Sequence, residues 1–137
     1  MDLEILKIAS DTKNHKVLKE CSHSARFKNP LCGDEMQVSL KVKDDKIADF
    51  AYECKSCIYC QASASVLSKT SINKSIEKIN EITAFVSNFF ENTSSKFPKE
   101  WKIFEKLFNE KNISRKECLL LPFKTLAKAL KSQYGKR

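Results

Sequence analysis

The clearest structural signal in this chain is the segment of residues 36–52, which reads MQVSLKVKDDKIADFAY. Apolar and polar residues alternate over residues 36–43, which is the period of a half-buried β-strand. The polar residues 44–46 interrupt the pattern as a turn. Residues 47–52 then alternate again, with Ala48, Phe50 and Tyr52 on one face. The segment therefore predicts a β-hairpin.

The sequence on either side of the hairpin differs in character. Before it, residues 3–9 predict a short helix, and the polar stretch that follows is largely irregular except for a third strand near residues 21–27. After it, apolar residues recur at the helical period. The predicted helices are one that follows Cys57, a long one over 71–90, one over 99–110, and a last one with Pro122 in its first turn.

The order of strands first and helices afterwards predicts an α+β fold, in which a small antiparallel sheet of two to three strands packs against about four to five helices. The length of 137 residues suits a single domain spanning residues 1–137. We expect residues 1–20 to be a mobile N-terminal segment and residues 131–137 to be a basic tail.

Composition excludes several classes of protein. A hydrophobic fraction of 42% supports a folded core, and only two glycines argue against a collagenous or low-complexity chain. The acidic residues near Met1 and the lack of an apolar run predict a cytoplasmic protein without a secretory signal. The net charge of +8 raises the possibility of nucleic-acid binding, but lysines and acids are interspersed along most of the chain.

The chain contains six cysteines, which in a reducing compartment predict metal binding or thiol chemistry rather than disulfides. They are Cys21, Cys32, Cys54, Cys57, Cys60 and Cys118. Three segments carry donor residues at the ends of predicted elements: 29–34 before a strand, 54–57 between strand and helix, and Cys118 just before the last helix. Side chains at such positions can converge on one point without distorting the elements.

Three thiolates and one carboxylate would provide four donors for a tetrahedral zinc ion or a small iron–sulfur cluster. The amides at a helix N-terminus favour a thiolate, and Cys57 is the best candidate for that effect. An oxygen donor binds soft iron more weakly than a thiolate does. A mixed site therefore suits a protein that releases its cargo better than an electron carrier.

The same three segments resemble the motifs of the IscU/NifU/SufU-type iron–sulfur cluster assembly scaffolds. The first is NPLCGD at 29–34, the second is Cys57 followed by the run CQASAS at 60–65, and the third is CLLLPFKTL at 118–126. The resemblance covers roughly residues 26–130. The length of residues 71–117, with Trp101 within it, resembles the SufU form more than the shorter IscU form.

This resemblance implies a SufE/NifU-like fold and a set of functional residues. A 2Fe–2S cluster or Zn²⁺ would be held by Cys32, Asp34, Cys57 and Cys118, and Cys118 would accept sulfur as a persulfide. The implied partners are a cysteine desulfurase, which donates the sulfur, and the apo iron–sulfur proteins that receive the cluster. The implied role is that of a carrier rather than an enzyme. Alternatives are a zinc-dependent sulfurtransferase and a zinc-stabilised nucleic-acid-binding module.

The chain also departs from these motifs. Cys54 and Ser56 stand where the family usually has glycine, and Glu117 stands where it has histidine or lysine before the third cysteine. Glu117 is interpreted as a surface acid or as an extra oxygen donor, and Cys60 as a core residue or as a spare thiol at the site. Cys21 is expected to be structural, and His15 and His23 to lie on the surface.

Overall fold

The computed structural model describes residues 3–30 and 33–132, and these form three strands and four α-helices. The strands are β1 (His23–Lys28), β2 (Glu35–Lys43) and β3 (Lys46–Lys55), and the helices are α1 (Leu3–Ala9), α2 (Ile58–Ser71), α3 (Ile76–Ser87) and α4 (Lys116–Lys131). Short 3₁₀ helices span Phe89–Glu91, Lys99–Lys106 and Glu110–Arg115. The predicted α+β class, with a third strand near residue 21, is confirmed.

The sheet is an antiparallel meander in the order β1-β2-β3. Its tight β2–β3 turn has Asp44 and Asp45 at its centre, with φ of 54° and 61°. Two successive left-handed residues match the right-handed twist of a two-residue hairpin, and aspartate tolerates this conformation better than most residues. The predicted hairpin is confirmed, but the predicted face is wrong at Ala48, which is exposed, whereas Ile47 is buried, because the strand register shifts by one residue near this turn.

One face of the sheet forms half of the core. Because side chains alternate across a strand, Met36, Val38 and Leu40 all point to the same side, and each is fully buried. The register sets them opposite Cys54, Tyr52 and Phe50 of β3. Helices α2 and α4 pack against the sheet and complete this core.

The N-terminal segment lies along the free edge of β3. The Tyr52 amide donates a hydrogen bond to the Asn14 carbonyl at 3.0 Å, and the Lys16 amide donates one to the Tyr52 carbonyl at 2.8 Å. In α1, Ile5 and Ala9 are buried, whereas Leu3 and Leu6 are exposed. The mobility expected for residues 1–20 stays a prediction.

The third helix is shorter than predicted. Asn73 adopts a φ of 72°, which interrupts the helical backbone. Ser75 then starts α3 as an N-cap, because its side chain accepts a hydrogen bond from the Lys78 amide. The predicted helix over 99–110 is a 3₁₀ helix over Lys99–Lys106, and its Trp101 and Phe104 are buried.

The last helix begins earlier than predicted, which changes the setting of Cys118. Pro122 is the seventh residue of α4 rather than part of its first turn, and Cys118 lies within the helix instead of before it. Proline is disfavoured here because it cannot donate to the carbonyl four residues earlier. Burial of Leu119, Leu121 and Phe123 offsets that cost.

No helix within residues 3–30 and 33–132 is long and apolar enough to cross a membrane. Helix α4 ends at Lys131, so the start of the predicted tail is still helical. Residues 133–137 of that tail lie outside the described residues.

Candidate metal and thiol site

Three of the predicted site residues come together at one end of the sheet. The ligand atoms of Asp34, Cys57 and Cys118 all lie within 4.8 Å of one another. Two donors of a tetrahedral zinc ion are about 3.5–3.8 Å apart, given bond lengths of ~2.0–2.3 Å. The observed arrangement would therefore need only small side-chain shifts to surround a single ion. Among the described residues it is the one group found that could hold a metal ion.

Asp34 is positioned by the connection between β1 and β2. The Asn29 amide donates to the Asp34 carbonyl at 2.7 Å, and the Gly33 amide donates to the Asn29 carbonyl at 2.8 Å. Gly33 has a φ of 77°, a conformation that a residue with a Cβ adopts only with strain. Cys32 lies outside the described residues, so its predicted role as a ligand stays a prediction.

The two thiols come from helix N-termini. Cys57 is the N-cap residue of α2, and its side chain makes no capping hydrogen bond, which leaves the sulfur available to a ligand. Cys118 is in the first turn of α4 and is only 8% exposed. The site is thus built from one strand connection and two helix starts, with the backbone amides of both helices favouring negative charge.

The carboxylate of Asp34 indicates that these residues fit a metal ion. Its Oδ2 atom is buried and has no hydrogen-bond partner among the described residues. A buried carboxylate oxygen without a partner costs free energy, so such atoms are normally paired or bound to a metal. An ion bonded to Oδ2 and to the two sulfurs would remove that cost, so the donor set fits a zinc or iron site.

The protein groups around Cys118 favour its neutral thiol. Burial raises the pKa of this thiol well above its usual range, and the neighbouring Cys57 and Asp34 side chains raise it further. A bound cation would reverse this effect, because a coordinating thiol is deprotonated. The protonation state of the Cys118 thiol would therefore depend on whether a cation is present.

The residues that replace family glycines cause no backbone strain. Neither Cys54 nor Ser56 has a positive φ, and Cys54 lies in β3 opposite Met36. Burial raises the pKa of the Cys54 thiol, to which the Asp34 and Cys57 charges also contribute. Cys54 is therefore a half-buried neighbour of the site, and no residue at either position needs the conformational freedom of glycine here.

Cys60 belongs to the core. It is fully buried, and that burial raises the pKa of its thiol well above the usual range. It is not part of the group that could hold a metal. Of the two interpretations left open by the sequence, the structure favours core packing.

The other polar candidates have partners of their own. Glu117 pairs with Lys124 at 3.2 Å on the surface, as expected of a surface acid. His15 is exposed, with its ring edge-on to Tyr52 and its Nε2 accepting from the Cys54 amide at 3.4 Å. The expectation that His23 lies on the surface is wrong, since it is buried in β1 with Nδ1 2.8 Å from the Ser22 hydroxyl.

One residue beside the site has a contact that the sequence did not predict. The Ser63 hydroxyl donates a hydrogen bond of 2.8 Å to the backbone carbonyl of Leu119, the residue after Cys118. The small residues of 62–65 predict only close helix packing. A serine on a helix face that is otherwise buried is the signal that could have indicated a polar contact.

The chain is similar to known proteins in its amino-acid sequence. The family model for the NifU-like N terminal domain matches residues 2–102. The iron–sulfur cluster assembly scaffold protein IscU of Thermotoga maritima is 30% identical over 129 residues, which cover 93% of this chain and 89% of the relative. The zinc-dependent sulfurtransferase SufU of Bacillus subtilis is 26% identical over 108 residues, covering 78% and 74% of the two chains.

Solved structures show the same architecture. A NifU-like protein (N-terminal) from Brucella abortus superposes with a TM-score of 0.86 at 23% identity, covering 95% of this chain and 91% of the other. A putative scaffold protein for the SUF system from Fervidobacterium islandicum gives a TM-score of 0.84 at 27% identity, covering 95% and 96%. The fold is thus matched in solved structures and the sequence in a family model, and the chain belongs to the family of NifU-like N-terminal domains.

Proposed function

We propose that this protein is an iron–sulfur cluster assembly scaffold. In this role it accepts sulfur from a cysteine desulfurase, holds a 2Fe–2S cluster as cargo, and passes the cluster to apo-proteins. It is a carrier rather than an enzyme. Membership of the NifU-like family and the IscU relative support the proposal. The proposed ligands are Cys32, Asp34, Cys57 and Cys118.

The observation that carries the proposal is Asp34, whose buried Oδ2 atom has no hydrogen-bond partner within residues 3–30 and 33–132 and whose carboxylate belongs to a group of donors within 4.8 Å. A purely structural carboxylate would gain more from a hydrogen bond with a neighbouring amide. A mixed thiolate and carboxylate set also suits reversible binding of iron, because the oxygen is the weaker donor.

The proposed sulfur transfer begins at Cys118. Its thiolate attacks the outer sulfur of the desulfurase persulfide, so that a new S–S bond forms on Cys118. The S–S bond of the donor breaks, and the desulfurase cysteine leaves as a thiolate. No external oxidant is needed, since the sulfur moves at the same oxidation level. A nearby cation would supply the condition for this step, which is a deprotonated Cys118.

Anaerobic reconstitution with iron, cysteine and a desulfurase tests the scaffold proposal. We expect visible absorption from a bound cluster with the wild-type protein and its loss in Cys118→Ser, whereas Cys21→Ser serves as the matched control and retains it. Iron and sulfide contents of protein purified without oxygen give a second measurement. Absence of cluster absorption in the wild type would contradict the proposal.

A second candidate function is that of a zinc-dependent sulfur acceptor. The observation that favours it is the compactness of the three donors, which suits one tetrahedral ion better than two irons. The SufU relative is named a zinc-dependent sulfurtransferase. Desulfurase turnover measured with zinc-loaded and zinc-free protein distinguishes the two candidates. Stimulation by the zinc form without cluster formation would favour the second.

A further inference from the structure

The first turn of α4, which carries Cys118, lacks part of its own hydrogen bonding. In an α-helix, the carbonyl of residue 118 would accept a hydrogen bond from the amide of residue 122. Residue 122 is proline, which has no N–H to donate. The turn is therefore tied less firmly by its own backbone than the rest of the helix.

A side chain from another helix binds the next carbonyl of the same turn. The Ser63 hydroxyl of α2 donates to the Leu119 carbonyl at 2.8 Å, and neither Ser63 nor Leu119 has any exposed surface. Helix α2 is also the helix that begins at Cys57. One buried hydrogen bond thus connects the two helices whose N-termini carry the two thiols.

From these contacts we propose that Ser63 is a positioning residue, which sets the distance between the Cys57 and Cys118 sulfurs by fixing the first turn of α4 to α2. Ser63 does not touch the ion or the transferred sulfur. The inference rests on the proposed function for its purpose, because the spacing of the thiols matters only if they share a ligand. Its structural part, restraint of Cys118, can be measured without any metal.

Ser65 is a matched control within the same helix. Its hydroxyl donates a hydrogen bond of 2.9 Å to the Asp11 carbonyl, and the residue is only 2% exposed. Each alanine substitution therefore removes one buried hydroxyl that binds a distant backbone carbonyl. The two bonds differ in that Ser63 reaches the helix of Cys118, whereas Ser65 reaches Asp11, two residues after the end of α1.

The first experiment measures alkylation of Cys118 in the metal-free protein, with the modified peptides quantified by mass spectrometry. We expect Ser63→Ala to increase the alkylation rate of Cys118 about tenfold, the factor expected from loss of one buried hydrogen bond. Ser65→Ala should leave that rate within about twofold of the wild type. Equal rates for Cys118 in all three proteins would overturn the proposal.

The second experiment measures zinc affinity by competition with a chromophoric chelator. We expect Ser63→Ala to weaken zinc binding by about 10- to 100-fold, as is typical when support for a ligand is removed. Ser65→Ala should change it by less than about threefold. Equal weakening in both variants would mean that Ser63 acts only through global stability, and this would also overturn the proposal.

The two experiments separate failure of this inference from failure of the proposed function. If the wild type binds neither zinc nor a cluster, the proposed function fails, while the alkylation rates still decide whether Ser63 restrains Cys118. Pro122→Ala provides a second variant if Ser63→Ala does not fold. By restoring an amide at residue 122, it should slow Cys118 alkylation, and no slowing would count against a loosely tied turn.

Discussion

At the residue scale, Asp34 distinguishes this site from a cluster of buried thiols. The carboxylate is held by a connection that closes between Asn29 and Asp34, and its Oδ2 atom has no partner in the part of the chain that the structure describes. Cys118 and Cys57 provide softer donors within 4.8 Å. The proposed balance between holding and releasing iron therefore depends on one oxygen ligand among sulfur ligands.

Replacing that oxygen should shift the balance towards retention. We expect Asp34→Cys to bind a reconstituted cluster and to transfer it to an apo-ferredoxin at least about tenfold more slowly than the wild type does. The reason is that a set of thiolates alone holds iron more tightly. The transfer rate can be followed by the change in visible circular dichroism. Asp49→Cys, a substitution in β3 outside the site, is the control. Faster transfer from Asp34→Cys would contradict the role of the carboxylate.

At the scale of elements, α2 connects the site to the core. Its residues Ala62, Ser63 and Ala64 are fully buried, and the helix packs against α1, α4 and β3. Small side chains allow this approach on several sides at once, and the serines satisfy backbone carbonyls of neighbouring segments. The sequence predicted the close packing but not the hydrogen-bond partners, because these lie more than 50 residues away.

Enlarging one of these residues should therefore destabilise the fold. We expect Ala64→Leu to lower the free energy of unfolding by about 1–3 kcal/mol, since a packed interface has no room for three more carbons. Ala84→Leu, on the exposed face of α3, should change it by less than about 0.5 kcal/mol. Urea denaturation followed by circular dichroism measures both. A similarly small change in the free energy of unfolding of both variants would show that the packing around α2 accommodates a larger side chain.

At the scale of the whole molecule, burial in the core raises the pKa of ionisable groups outside the proposed ligand set. Burial raises the pKa of the Cys60 thiol well above 9.0, the value that the solvated thiol keeps in an unfolded chain. The unfolded chain therefore releases this proton near pH 9, while the folded chain keeps it. Burial similarly raises the pKa of Tyr52 to about 12.

The stability of the metal-free protein should consequently decrease as pH rises. Since the unfolded state binds fewer protons than the folded state above about pH 9, Cys60 alone should lower the free energy of unfolding by about 1 kcal/mol between pH 8 and pH 10. Urea midpoints across that range measure the effect. Cys60→Ala should reduce the slope, and Cys21→Ser should not. If the dependence of stability on pH were unchanged in Cys60→Ala, the pH effect could not be due to Cys60.

The class of fold and the segments that carry the site follow from the order of the residues alone. The period of two in residues 36–43 and the later helical period are local properties, so they predict elements without knowledge of their neighbours. The donor residues Asp34, Cys57 and Cys118 were identified from motifs at the ends of those elements. Helix boundaries were less predictable, because the positive φ of Asn73 and the early start of α4 depend on surrounding contacts.

Which donors meet, and which contacts hold them, depends on how the elements pack in three dimensions. The approach of Asp34, Cys57 and Cys118 depends on packing between a strand connection and two helices that are distant in sequence. The burial of Cys60 and His23 and the bond from Ser63 to Leu119 arise in the same way. Periodicity describes which face of an element is apolar, whereas the partner of that face is chosen by the packing of the whole chain.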